Sequence, residues 1–212
     1  ANWSVSSGTF TSGRRYRFMA RARNSAGNWQ VVYSTTLTTH DNEAPETGVS
    51  YPVTGSAVNT LAAITGTLNE LPNPAVSPAS TGTVLNVYMR IKRLSDGLWW
   101  PGLPGSWQAQ LSSVTVNTVD PYAYASSGTW SLTAGGLPAG TDLVEGTSYY
   151  ITTVGLDNTD NGGNLEAYFN VRGSTFIYDV SKPSTTITSP VHTATMSALA
   201  SLTGTTLDEP GY

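Results

Sequence analysis

Two stretches of the chain bring carboxylates and side-chain amides close together in sequence. Residues 157–166, Asp-Asn-Thr-Asp-Asn-Gly-Gly-Asn-Leu-Glu, place Asp157, Asp160 and Glu166 among asparagines. Asp41-Asn42-Glu43 forms a shorter acidic run ahead of Pro45. Carboxylates and amide carbonyls at this density suit calcium, which takes about six to eight oxygen ligands. Asp157, Asp160, Glu166, Asp41 and Glu43 are therefore the candidate metal ligands. The plainer reading of the longer loop is a cluster of Asx-turns whose side chains cap their own backbone.

A second chemistry is stacking. Trp99-Trp100-Pro-Gly-Leu-Pro-Gly-Ser-Trp107 brings three indoles into one short segment. Exposed, coplanar rings would bind a sugar face. Trp99, Trp100 and Trp107 are thus the candidate glycan-binding residues. Against this, Trp buries a large area whenever it can. Adjacent residues on a strand also point to opposite faces, so at most one of Trp99 and Trp100 is displayed. We expect the loop to be mainly structural.

Catalysis finds little to work with. His40 and His192 have no partnered serine or aspartate motif, and no nucleophile elbow, zinc-binding His pair or phosphate loop occurs. The close acidic pairs, Asp142 with Glu145 and Asp157 with Asp160, fall in turn sequences where solvation is the default. The absence of cysteine removes disulfides, thiolate metal sites and a thiol nucleophile. Lys92 and Lys182 are the only lysines. One falls on a row with Arg90 and the other in a linker, so an internal Lys–Asn bond is not expected. The expectation is a non-enzyme that requires no cofactor.

Composition bounds the partners. Charged residues are 11% of the chain and the formal net charge is −4, which offers no electrostatic case for nucleic acid. The one basic cluster, Arg14 to Arg23, reads as a solvated sheet face. No apolar run approaches the roughly 20 residues of a membrane-spanning helix. With 6 Trp and 11 Tyr, and abundant Val, Ile and Thr, the chain favours strands over disorder.

What must position these residues is a repeat. PETGVSYPVTGSAVNTLAAITGT from Pro45 returns without a gap as PSTTITSPVHTATMSALASLTGT from Pro183. Both prolines and the Thr-Gly-Thr keep register. Asp41 and Asp179 stand equally far ahead of the two copies. Upstream, Gly13-Arg-Arg-Tyr16 matches Gly146-Thr-Ser-Tyr149, and Ala26-Gly27-Asn28 matches Gly162-Gly163-Asn164. Fixed-period self-similarity marks a tandem array. We divide the chain into the end of one module (1–44), a whole module (45–182) and the start of a third (183–212). The natural chain is expected to continue beyond both ends. The repeat also bears on the metal. The loop at Asn24–Asn28 lacks carboxylates, and Lys182 stands at the second junction. Calcium is therefore a candidate ligand that folding is not expected to require.

Short alternating runs between Gly, Pro, Asn and Ser clusters, with no helical period, predict an all-β sandwich. Expected strands are 48–51, 61–68, 84–94, 108–116, 129–133, 148–156 and 165–176. In the strongest, Leu85, Val87, Met89 and Ile91 alternate with Asn86, Tyr88, Arg90 and Lys92. Ser95-Asp96-Gly97 reads as a tight turn. Surplus length sits in loops 71–82, 98–107 and 117–128.

Leu143-Val-Glu-Gly146-Thr-Ser-Tyr149, running on to Asp157-Asn158, resembles the strand signature of bacterial immunoglobulin-like and fibronectin-III-like modules, as does Gly13–Asn28. The resemblance implies tandem Ig-like Greek-key β-sandwiches. It makes Tyr16 and Tyr149 tyrosine-corner residues, each hydroxyl bonded to an upstream backbone group. The run Asp41-Asn42-Glu43-Ala44-Pro45 is similar to the calcium-binding linker of cadherin repeats. The Trp-bearing segments are similar to long Ig-like repeats of giant bacterial surface proteins. The function this implies is a structural repeat of an extracellular bacterial surface stalk, fibre or filament. Its partners would be neighbouring modules of the same chain or other copies. The alternatives are a carbohydrate-binding or adhesive module using the Trp loop, and an accessory domain of a secreted hydrolase.

Overall fold

A computed structural model describes residues 2–6, 8–71, 83–102, 105–116, 118–120, 128–133, 136–160, 162–167 and 172–208. Within these the chain is all-β, with a 3₁₀ turn at Gly140–Asp142 and no α-helix. Most of loop 71–82, and parts of the other two surplus loops and of the expected strand 165–176, lie outside the described residues.

Two sheets span the middle of the chain. The first contains β3 (Glu46–Tyr51), β5 (Ala63–Asn69), β8 (Thr118–Asp120) and β9 (Gly128–Thr133), in the order β3-β5-β9-β8. The second contains β4 (Ser56–Val58), β6 (Val84–Arg93), β7 (Val114–Thr115), β10 (Thr147–Asp157) and β11 (Ser174–Tyr178), in the order β4-β11-β10-β6-β7. One hydrophobic cluster takes side chains from both. Ile64, Leu68, Trp130 and Leu132 come from the first sheet, and Val87, Met89, Ile91, Tyr149, Ile151 and Phe176 from the second. Each such side chain, fully buried, is worth about 1.5–3 kcal/mol.

The Thr-Gly-Thr motif is explained by this packing. The Trp130 indole lies against the Gly66 backbone, on the strand paired with its own. A Cβ at Gly66 would collide with that ring and with the Gly48 carbonyl oxygen. Trp130 Nε1 then donates to the Thr67 carbonyl at 3.1 Å.

Two expectations change on contact with the partner strands. Alternation along β6 puts Leu85 in the row of Val87 and Met89, but Leu85 is 56% exposed and Val84 is buried instead. The β6–β10 register shifts between Leu156 and Asp157, so that Asp157 pairs with Val84. A bulge of this kind flips the alternation beyond it. The expected strand 108–116 is reduced to a bridge at Gln108 and the two-residue β7.

The flanking segments each form a two-stranded sheet. β1 (Arg14–Ala20) pairs with β2 (Ser34–His40), and β12 (Ser184–Ser189) with β13 (Thr203–Leu207). β12–β13 repeats β3–β5 residue for residue. Glu46↔Asn69 becomes Ser184↔Leu207, Val49↔Gly66 becomes Ile187↔Gly204, and the register shift at Val49/Tyr51 recurs at Ile187/Ser189. Likewise, Gly13 donates to the His40 carbonyl and Gly146 to the Tyr178 carbonyl, both at 2.8 Å.

Candidate functional site

Three carboxylates converge where the segment between β2 and β3 meets the ends of two strands. Asp41 follows directly on β2, Glu70 follows β5, and Asp157 ends β10. One oxygen from each lies within 4.8 Å of the other two.

Asp157 is held rigidly. It is 1% exposed. Its Oδ1 accepts from the Thr159 N–H at 3.0 Å, the Thr159 hydroxyl at 2.7 Å and the Asn164 N–H at 2.7 Å. Its Oδ2 accepts from Asn164 Nδ2 at 2.8 Å. The loop beyond β10 is thus built around this one carboxylate, with Gly162 and Gly163 at positive φ allowing the turn. Asn164 Nδ2 also approaches the Asp41 carbonyl at 3.4 Å, tying loop to linker.

Asp41 is half-buried. Its Oδ1 accepts from the Ser12 hydroxyl and from the Glu43 N–H, each at 3.2 Å. The second is an Asx-turn, repeated where Asp179 accepts from the Ser181 N–H at 3.0 Å.

Glu70 differs from both. It is 7% exposed, and among the described residues neither carboxylate oxygen has a hydrogen-bond partner. Its pKa is pushed up to about 8, first by burial and then by the charges of Asp157 and Asp41. The Leu71 N–H opposes the shift without making a well-formed hydrogen bond.

The other expected ligands lie elsewhere. Asp160 and Glu43 are exposed. Glu166 is buried but engaged: its Oε2 accepts from the Thr47 N–H, the Thr47 hydroxyl and the Gly155 N–H at 2.9, 2.6 and 3.1 Å. Its Oε1 pairs with Arg172. The structure therefore brings Asp41 and Asp157 together with Glu70, and Asp160, Glu43 and Glu166 are not in that cluster. A signal for Glu70 existed in the sequence. Asp208 stands at the matching place of the second copy, so the repeat keeps an acid there.

The tryptophans of the 99–107 segment pack inward. Trp99 and Trp100 are both buried, and Trp107 lies against the core cluster. Trp100 Nε1 donates to the Gly136 carbonyl at 2.8 Å and Trp107 Nε1 to the Asp142 carbonyl at 2.7 Å. Rings of Trp100, Trp107, Tyr149 and Phe176 follow one another at centroid spacings of 5.4, 5.4 and 5.3 Å. Lys92 Nζ sits 5.3 Å from the Trp99 ring, covering it. Both faces of the Trp99-Trp100 pair are thus occupied, where alternation alone allowed one displayed ring.

The two tyrosines make equivalent contacts. Tyr149 accepts at its hydroxyl from the Val144 N–H, and Tyr16 from the Thr11 N–H, both at 2.8 Å. Burial raises the Tyr149 pKa.

No protein-family model matches this chain, and no curated protein sequence matches it.

Proposed function

We propose that the chain is a stretch of tandem Ig-like β-sandwich modules, whole at 45–182 and partial at 1–44 and 183–212. In this reading it serves as a non-catalytic spacer and assembly element of an extracellular stalk, fibre or filament at a bacterial surface. The observation that carries the reading is the β3–β5 pairing, repeated with its register shift in β12–β13. A chain that forms the same strand pairing again, in the same register, is built as an array. The paired tyrosine hydroxyl contacts support Ig-like modules.

Exposed apolar positions support the same reading. Leu61 and Ile64 are 6% and 0% exposed, whereas their counterparts Leu199 and Leu202 are 62% and 66% exposed. In the whole module a second sheet covers this row; in an array the following strands would. The inward packing of Trp99, Trp100 and Trp107 favours a scaffold over adhesion through that loop.

Limited proteolysis with mass spectrometry tests the division. The expected product is a resistant fragment from near Pro45 to near Lys182, with cuts first in the flanking segments. Antibody raised against that fragment is expected to label intact cells of the source organism. Labelling only after lysis would contradict the surface reading. Glycan binding abolished by Trp107→Ala, in a protein that still melts cooperatively, would replace the spacer with an adhesin.

A further inference from the structure

We propose that Asp41, Glu70 and Asp157 form a calcium site that clamps the first linker to the ends of β5 and β10. Three observations carry it. The three carboxylates present oxygens within 4.8 Å of one another. Two oxygens on one calcium, each bonded at about 2.3–2.6 Å, can be no more than about 5 Å apart. Glu70 is more than nine-tenths buried, and among the described residues no donor meets either of its oxygens. A buried carboxylate without a partner is expensive, and a cation between the three groups supplies the missing partner.

The donor set selects the ion. All the converging groups are carboxylates, without imidazole or thiolate. That is the ligand chemistry of a hard cation such as calcium and not of zinc or copper. Asp157 is fixed by four hydrogen bonds and Asp41 by two. These two ligands are therefore already oriented before the ion arrives, and water completes the coordination.

The clamp has a directional consequence. Asp41 belongs to the linker, while Glu70 and Asp157 belong to the two sheets that follow. Binding couples the linker to those sheets and stiffens the joint. The second junction is different. Asp179 and Asp208, the counterparts of Asp41 and Glu70, line one groove together with Lys182. A lysine ammonium there opposes a second cation, so one site per chain is expected. The site rests on these contacts and does not depend on the spacer reading.

Calorimetric titration of the chelator-stripped chain with calcium tests it. The expected result is one binding event per chain, at least tenfold weaker in Glu70→Gln and unchanged in Asp160→Asn and Glu43→Gln. Amide shifts on binding should centre on Asp41, Glu70 and Asp157. If Glu70→Gln fails to fold, Asp41→Asn is expected to give the same loss. No binding up to about 10 mM calcium, beyond the range of weak extracellular sites, overturns the proposal. So does wild-type affinity in both Glu70→Gln and Asp41→Asn, or a tenfold loss in Asp160→Asn alone.

Discussion

Thr47 and Glu166, far apart in the chain, are held together by two hydrogen bonds from one threonine, N–H and hydroxyl, to one carboxylate oxygen. The same oxygen accepts from Gly155 on the facing sheet, and Arg172 pairs with the other oxygen while donating to the Thr47 carbonyl at 2.7 Å. Glu166 thus staples β3 to β10. Glu166→Ala would strand these donors in a buried place. It is expected to cost about 2–4 kcal/mol, the usual penalty for unpairing buried polar partners. Urea denaturation checks this, and a midpoint within error of wild type would contradict the staple.

Tyr149→Phe removes the acceptor of the Val144 N–H while leaving the ring stack with Trp107 and Phe176 intact. The expected loss is about 1 kcal/mol. Thermal melts of the variant and wild type measure it. Equal midpoints would mean that the hydroxyl contact carries no weight.

Gly66→Ala drives a methyl group into the Trp130 ring and the Gly48 carbonyl. Neither is the end of a flexible chain. The expected cost is about 1–3 kcal/mol or more, as for overpacked cores, together with a change in the Trp130 fluorescence environment. A stable variant with an unaltered spectrum would show that the close approach is not required.

The staple, the tyrosine contact and the glycine are legible in the sequence to different degrees. Tyr149 is readable because its partner, Val144, lies within the same local motif. The β12–β13 pairing is readable because the repeat preserves its own register. Leu85 is not, since its exposure depends on a bulge opposite Asp157, on a strand far along the chain. Glu166 looks like a ligand because its loop is oxygen-rich; only the fold reveals Thr47, Gly155 and Arg172 waiting for it. Glu70 looks like a strand-end acid. Its burial beside Asp41 and Asp157 is made by three distant segments meeting, which no local pattern encodes.

Trp100→Ala removes a fully buried ring and its hydrogen bond to Gly136. The expected cost is about 3–5 kcal/mol, enough to unfold a marginal domain. Chemical denaturation monitored by circular dichroism reads it. A variant as stable as wild type would return the tryptophan segment to the surface and to ligand binding.

The central proposal is that one complete two-sheet module lies between two partial ones. Hydrogen exchange on the whole chain, resolved by residue, tests it most directly. Slow exchange tracks burial and cooperative unfolding, whereas marginal two-stranded sheets open readily. The account predicts the slowest amides at Ile64, Trp130, Tyr149 and Ile151, with those of β1, β2, β12 and β13 exchanging about 100-fold faster or more. Uniform protection from Arg14 through Leu207 would contradict it, because the flanking sheets would then share a single cooperative core with the middle of the chain.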